Sequence, residues 1–83
     1  MTVSGFKTEL KKLGARIKLV RKDRGMTLLQ LQSLTGIAKS TLSRYENAKY
    51  PNVELLTLFI IAKALEITIS DLTNYNSPIP IKY

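Results

Sequence analysis

The sequence predicts an all-α domain, and three observations predict it. Phe6, Leu10, Leu13, Ile17 and Val20 follow one another at steps of four and three, the spacing of a single helix face. Two short helical segments meet with only Gly36 and Ile37 between them, the layout of a helix-turn-helix. A leucine-rich run from Val53 to Leu65 has the length and period of a further helix. The chain has 83 residues and 45% hydrophobic content, which suits one small folded domain.

The first helix is amphipathic and ends at Gly25, a natural residue just past a helix terminus. Its outer face carries Lys7, Lys11, Lys12, Lys18, Lys22 and Arg24, read as a solvated face. Gly14, inside the helix, marks a close approach rather than a break. Thr27 then opens "TLLQ", a capping box with Gln30 at the third helical position. Leu31 and Leu34 form the inner side of this second helix, which stops at Thr35-Gly36.

The third helix lies in "TGIAKSTLSRYE". At about 100° per residue, with Lys39 at zero, Ser43 falls near ~40°, Asn47 near ~80°, Ser40 near ~100° and Arg44 near ~140°. Leu42 and Tyr45 fall near ~300° and ~240°. One face therefore carries donors and positive charge, and the opposite face is anchored in apolar contacts.

Pro51 and Asn52 form a turn before the fourth helix, whose inward stripe is Leu55, Leu58, Ile61 and Leu65, with Ala62 beside it. Leu56, Phe59 and Ile60 lie off that stripe, so the helix is apolar nearly all round. Such a helix is buried on two sides, and in so small a domain the second side is a partner or a second copy. After Leu65 two readings stand. "EITISDL" alternates Ile67 and Ile69 like a strand, or it is a linker and a last helix capped by Ser70 with Asp71 in its first turn. Pro78 and Pro80 keep the tail out of a helix. Ile79, Ile81 and Tyr83 alternate there in an extended segment expected to be disordered. The domain is set at residues 1–73 and the tail at 74–83.

Net charge is +7, and it is unevenly placed. Residues 1–50 hold eleven Lys/Arg against Glu9, Asp23 and Glu46, whereas residues 51–83 are nearly balanced. That asymmetry suggests a polyanion-binding half and a packing half. The sequence contains no Cys and no His, which removes disulfides, thiol nucleophiles, zinc fingers and imidazole chemistry. No phosphate loop or metal-ligand cluster is present, so neither metal, cofactor nor enzymatic activity is expected. The longest apolar run, Leu58 to Ala62, is too short to span a bilayer, and there is no signal pattern. A cytoplasmic protein is expected.

From Leu13 to Leu72 the chain resembles the phage-repressor or XRE-type helix-turn-helix family. The cap, the glycine turn, "STLSRYE" and the leucine helix come in that family's order and spacing. The resemblance implies a compact bundle of four or five helices, usually dimeric, that regulates or represses transcription. It implies that the helix after the glycine turn lies in the major groove of double-stranded DNA. The base-reading positions are then Lys39, Ser40 and Arg44, of which Lys39 and Arg44 can donate to guanine O6 and N7. Thr27, Ala38, Thr41, Ser43, Asn47 and Lys49 become contacts to the DNA backbone or base edges, with Ala38 able to touch a thymine methyl. Arg21 and Glu46 become a structural ion pair. The dimer interface falls on Leu56, Ile60, Ile67 and Ile69.

Three residues depart from the family pattern. Leu28 stands where many members have a phosphate-binding glutamine. Gln32 replaces a small residue at the helix-helix contact, so a looser crossing is expected. Glu66 replaces a terminal glycine, which favours the strand reading. A strand there is similar to HipB-type antitoxins, which pair it across a dimer and bind a protein toxin. The leading expectation is a homodimeric regulator on a palindromic operator, with an antitoxin as the alternative. A protein-interaction module that has lost DNA binding rests only on Leu28 and Gln32.

Overall fold

The computed structural model describes residues 3–50 and 53–80, with side chains in the first helix from residue 7 onward. Among them are α1 (Val3–Asp23), α2 (Leu28–Thr35), α3 (Lys39–Glu46), α4 (Leu55–Ala64) and α5 (Ile69–Thr73). The side chain of Phe6, the turn residues Pro51 and Asn52, and Ile81 and Tyr83 of the tail lie outside the described residues.

Local chemistry sets the helix boundaries. The Thr27 hydroxyl accepts from the Gln30 N–H at 3.1 Å, and Gln30 Oε1 accepts from the Thr27 N–H at 2.8 Å. This reciprocal box satisfies donors that the first turn of α2 leaves open. Gly25, at φ 69°, closes α1. Its N–H donates to Lys22 O at 3.0 Å, and the Met26 N–H donates to Arg21 O at 3.1 Å. Those two bonds form a Schellman ending.

Helices α3 and α4 close with the same pair of bonds, but around Ala48 at φ 56° and Glu66 at φ 60°. A side chain in this left-handed region costs about 1–2 kcal/mol. Glycine at either position is therefore expected to stabilise the domain by about 1 kcal/mol after its own entropy cost, or a Tm rise of about 5 °C. Thermal unfolding of A48G and E66G checks this, and an unchanged Tm in both would contradict it.

Glu66 thus makes the left-handed turn that a glycine commonly makes, and the strand reading of residues 66–73 is corrected. Ile67 and Ile69 do not line an alternating edge; both are half-buried against the core, and Ile69 opens α5. The cap of α5 is Thr68 rather than Ser70. Its hydroxyl accepts from the Asp71 N–H at 3.0 Å, while Asp71 Oδ2 accepts from the Thr68 N–H at 3.3 Å. The described residues contain no strand.

The core takes Leu13, Ile17 and Val20 from α1, Leu31 from α2 and Leu42 from α3. Ile61, Ala62, Leu65 and Leu72 complete it from the C-terminal half. Two predicted inward residues are corrected, since Leu34 is 60% exposed and Leu55 63% exposed. Both sit at helix ends that overhang the core. Leu28 packs on the core from α2, and Val53 and Leu58 do so around α4. Leu56, Phe59 and Ile60 are exposed, leaving an apolar face on α4.

Arg16 of α1 and Arg24, just past its end, are structural. Arg24, read as outer charge, turns inward, and its Nε donates to Leu65 O at 3.0 Å, beside the end of α4. Arg16 is 3% exposed, and its guanidinium donates to Asp71 O, Ser77 O and Ser77 Oγ at 2.9–3.1 Å. These bonds draw the segment after α5 back onto the bundle, where Tyr75 and Ile79 pack on the core. Ile79 is therefore ordered by tertiary contact, against the expectation of a disordered tail. The described tail residues stay non-helical, as Pro78 and Pro80 require.

Candidate nucleic-acid interface

Helix α3 is held by four supports. Leu42 is fully buried and anchors its inner face. Gly14 of α1 lies against its C-terminal backbone: a Cβ there would press on Tyr45 O and come within 2.6 Å of Glu46 O. Arg21 Nε and Nη2 donate to Glu46 Oε2 and Oε1 at 2.7 and 3.0 Å, in a two-pronged pair, and Nη1 donates to Met26 O at 2.8 Å. Both charged residues are buried. The hydrogen bond to Glu46 holds the Arg21 guanidinium above its ordinary range, outweighing the opposing effect of burial.

The fourth support comes from Gln32. The N-cap of α3 is Ala38, whose side chain cannot accept a hydrogen bond. Gln32 Oε1, on α2, accepts from the Lys39 N–H at 2.8 Å in its place. Gln32 therefore joins the two helices directly, where the sequence pointed to a looser crossing.

With α3 fixed this way, Lys39, Ser40 and Arg44 are exposed on one side, together with Ala38, Asn47 and Lys49. Thr41 and Ser43 are half-buried. Asn47 Nδ2 donates to Ser43 O at 2.8 Å and to Ser43 Oγ at 3.3 Å, so its amide is turned back onto the helix. The Arg44 guanidinium lies 5.8 Å from the centre of the Tyr50 ring, which in turn packs at 5.0 Å on Tyr45. This cation–π contact restrains a long side chain without neutralising it. The acidic residue of α3, Glu46, is consumed by Arg21, so the outward face stays positive.

A second element of the site lies at the N-terminus of α2. Thr27 is exposed there, and Lys22, Thr27 and Lys39 line an open cleft of about 530 Å³. Free backbone N–H groups, the helix dipole and two lysines make this a place for anionic oxygens. Sequence reasoning had put Lys22 on a solvated face, and the α1–α2 turn brings it to the cleft. Tyr50 was missed because it lies beyond α3, outside any helical period. The missing cap at Ala38 was the one signal that could have pointed to Gln32.

A helix-turn-helix with a positive outward second helix is the architecture of a nucleic-acid reader. The chain belongs to the helix-turn-helix family of DNA-binding transcriptional regulators, whose profile matches residues 17–72. It is similar to the HTH-type transcriptional regulator SinR of Bacillus licheniformis, with 34% identity over 62 residues, 75% of this chain and 56% of that protein. It is also similar to the immunity repressor protein of Bacillus phage phi105, with 40% identity over 58 residues, 70% of this chain and 40% of that protein. The chain thus spans about half the length of these curated relatives. Its fold is similar to the restriction-modification controller protein C.AhdI of Aeromonas hydrophila, with TM-score 0.75 and 29% identity over 78% of this chain and 97% of that one. These relatives are regulators rather than enzymes. Among the described residues, no helix is long and apolar enough to cross a membrane.

Proposed function

We propose that this chain is a cytoplasmic, sequence-specific double-stranded DNA-binding repressor that acts as a homodimer on a palindromic operator. The observation that carries this reading is the α3 face, with Lys39, Ser40 and Arg44 exposed on a helix held from behind. Lys39 and Arg44 read guanine edges, and Ser40 discriminates less because its hydroxyl both donates and accepts. The cleft of Lys22, Thr27 and Lys39 takes a backbone phosphate beside them. Thr41, Ser43, Asn47, Lys49 and Ala38 supply backbone and edge contacts.

The test is selection of bound duplexes from a random library at near-physiological salt. A palindrome with half-sites about one helical turn apart supports the reading. Binding without enrichment would leave only phosphate attraction. R44A is expected to lose about 1–3 kcal/mol of affinity for the selected duplex and to relax one base pair per half-site. Titration against duplexes altered at single positions checks this, and unchanged preference would remove Arg44 from the reading set.

The dimer seam is assigned to Leu56 and Ile60, continued by Leu55 and Phe59 on the exposed face of α4. Ile67 and Ile69 contribute what their half-buried side chains leave open. Light scattering should show a dimer that L56E/I60E converts to monomer; a wild-type monomer at micromolar concentration would count against the seam. The antitoxin reading uses the same DNA-binding face and adds a protein toxin as partner. Its supporting strand is replaced by a turn and α5, so it now rests on the tail and the exposed Leu56/Ile60 face of α4 as docking surfaces.

A further inference from the structure

Gln32 joins the helix at the base of the site to the helix that reads DNA. Its amide is half-exposed, its Oε1 is taken by the Lys39 N–H at 2.8 Å, and Lys39 opens α3. The bond does two things at once. It replaces the cap that Ala38 cannot provide, and it ties the Cα of Lys39 to α2, whose own N-terminus frames the phosphate cleft. The other end of α3 is held separately, by Arg21, Glu46 and Gly14. The helix is thus pinned twice, and the pin nearest Lys39 is a single side chain.

We infer that Gln32 is a positioning residue for sequence selection, holding the first turn of α3 so that Lys39 meets its base in one register relative to the phosphate bound at α2. The inference rests on the DNA-binding reading above. A lysine side chain is long and flexible, so its selectivity depends on where its backbone is held. A frayed first turn lets Lys39 reach neighbouring bases or phosphates, which keeps charge attraction and loses discrimination. Arg44, about one and a half turns further along α3 and restrained by Tyr50, does not depend on this pin.

Two replacements separate the acceptor from the bulk. Q32M keeps the length and removes the acceptor; Q32E keeps an acceptor for the Lys39 N–H and adds a negative charge. The probe is the duplex that the wild-type chain enriches, with single substitutions at each half-site position. The position read by Lys39 is defined as the one where K39A loses discrimination. Q32M is expected to lose discrimination there by about five- to tenfold and to keep it at the position relaxed by R44A. Q32E is expected to keep the discrimination ratio at both positions while binding every duplex more weakly, because its charge faces phosphates. In the K39A background Q32M should change no ratio, so the loss seen when Lys39 is present is carried by Lys39, whereas a purely stabilising role would change no ratio in either background. Uniform weakening of all duplexes by Q32M, or equal loss of the ratio in Q32E, overturns the inference. A wild-type chain that enriches no sequence overturns the reading beneath it instead.

Discussion

G14A is expected to destabilise the domain by about 3 kcal/mol, lowering Tm by about 15 °C. The reason is the nature of what the new methyl meets. A Cβ at residue 14 runs into the carbonyls of Tyr45 and Glu46, with the Glu46 carbonyl carbon at 2.9 Å. These are backbone atoms in the last turn of α3, and they cannot rotate aside as a side chain can. Relief requires moving α3 off α1, which also stretches the Arg21–Glu46 pair and the contact of buried Leu42 with the core. Alanine is otherwise the better helix residue by about 1 kcal/mol, so the sign of the change is diagnostic. Circular dichroism melts of wild type and G14A decide it. A variant at least as stable as wild type would mean that the two helices have room to separate.

The second large effect belongs to the Arg21–Glu46 pair. Replacing either partner alone leaves a buried charge without its counter-charge, at a cost of about 3 kcal/mol or more. R21M also leaves Met26 O, which accepts from Nη1 at 2.8 Å, without that donor. E46L leaves the guanidinium with the Met26 carbonyl as its acceptor. The double variant R21M/E46L removes both charges and fills the space with apolar groups of similar size, so it is expected to recover most of the loss. Urea midpoints of the four proteins give the coupling directly. Additive losses would show that the two residues act separately. Under the proposed DNA-binding role the pair also bears on base selection, because it fixes the end of α3 that carries Arg44. The double variant is therefore expected to fold well and to select bases less sharply than wild type.

Much of this molecule was legible in one dimension, and the reason is that those features are local. The capping box of Thr27 and Gln30 spans four residues and needs nothing beyond them. Gly25 and Gly36 supply left-handed turns that a glycine permits by itself. The α1 stripe of Leu13, Ile17 and Val20 follows from the helical repeat, and the polar side of α3 was visible in the angles of Lys39, Ser40 and Arg44.

What the tertiary structure alone decided depends on atoms far apart in the chain. The alternation of Ile67 and Ile69 suited a strand equally well, and packing against a core containing Leu72 selected the helix. Glu66 looked like a missing glycine, and the bonds around it show the same turn made at a cost. Leu34 and Leu55 had the right period and lay beyond the edge of the core, because a short helix overhangs where its neighbours end. Arg24 looked like surface charge until the carbonyl of Leu65 arrived from about forty positions away, and Arg16 found its acceptors, the carbonyls of Asp71 and Ser77, only from residues 55 and 61 positions away. Gln32 is the clearest instance. Its type suggested a poor helix contact, and only the approach of Lys39 turned it into a cap. Local capping and periodicity are written in neighbouring residues, whereas partners for buried polar groups exist only after the chain has folded back on itself.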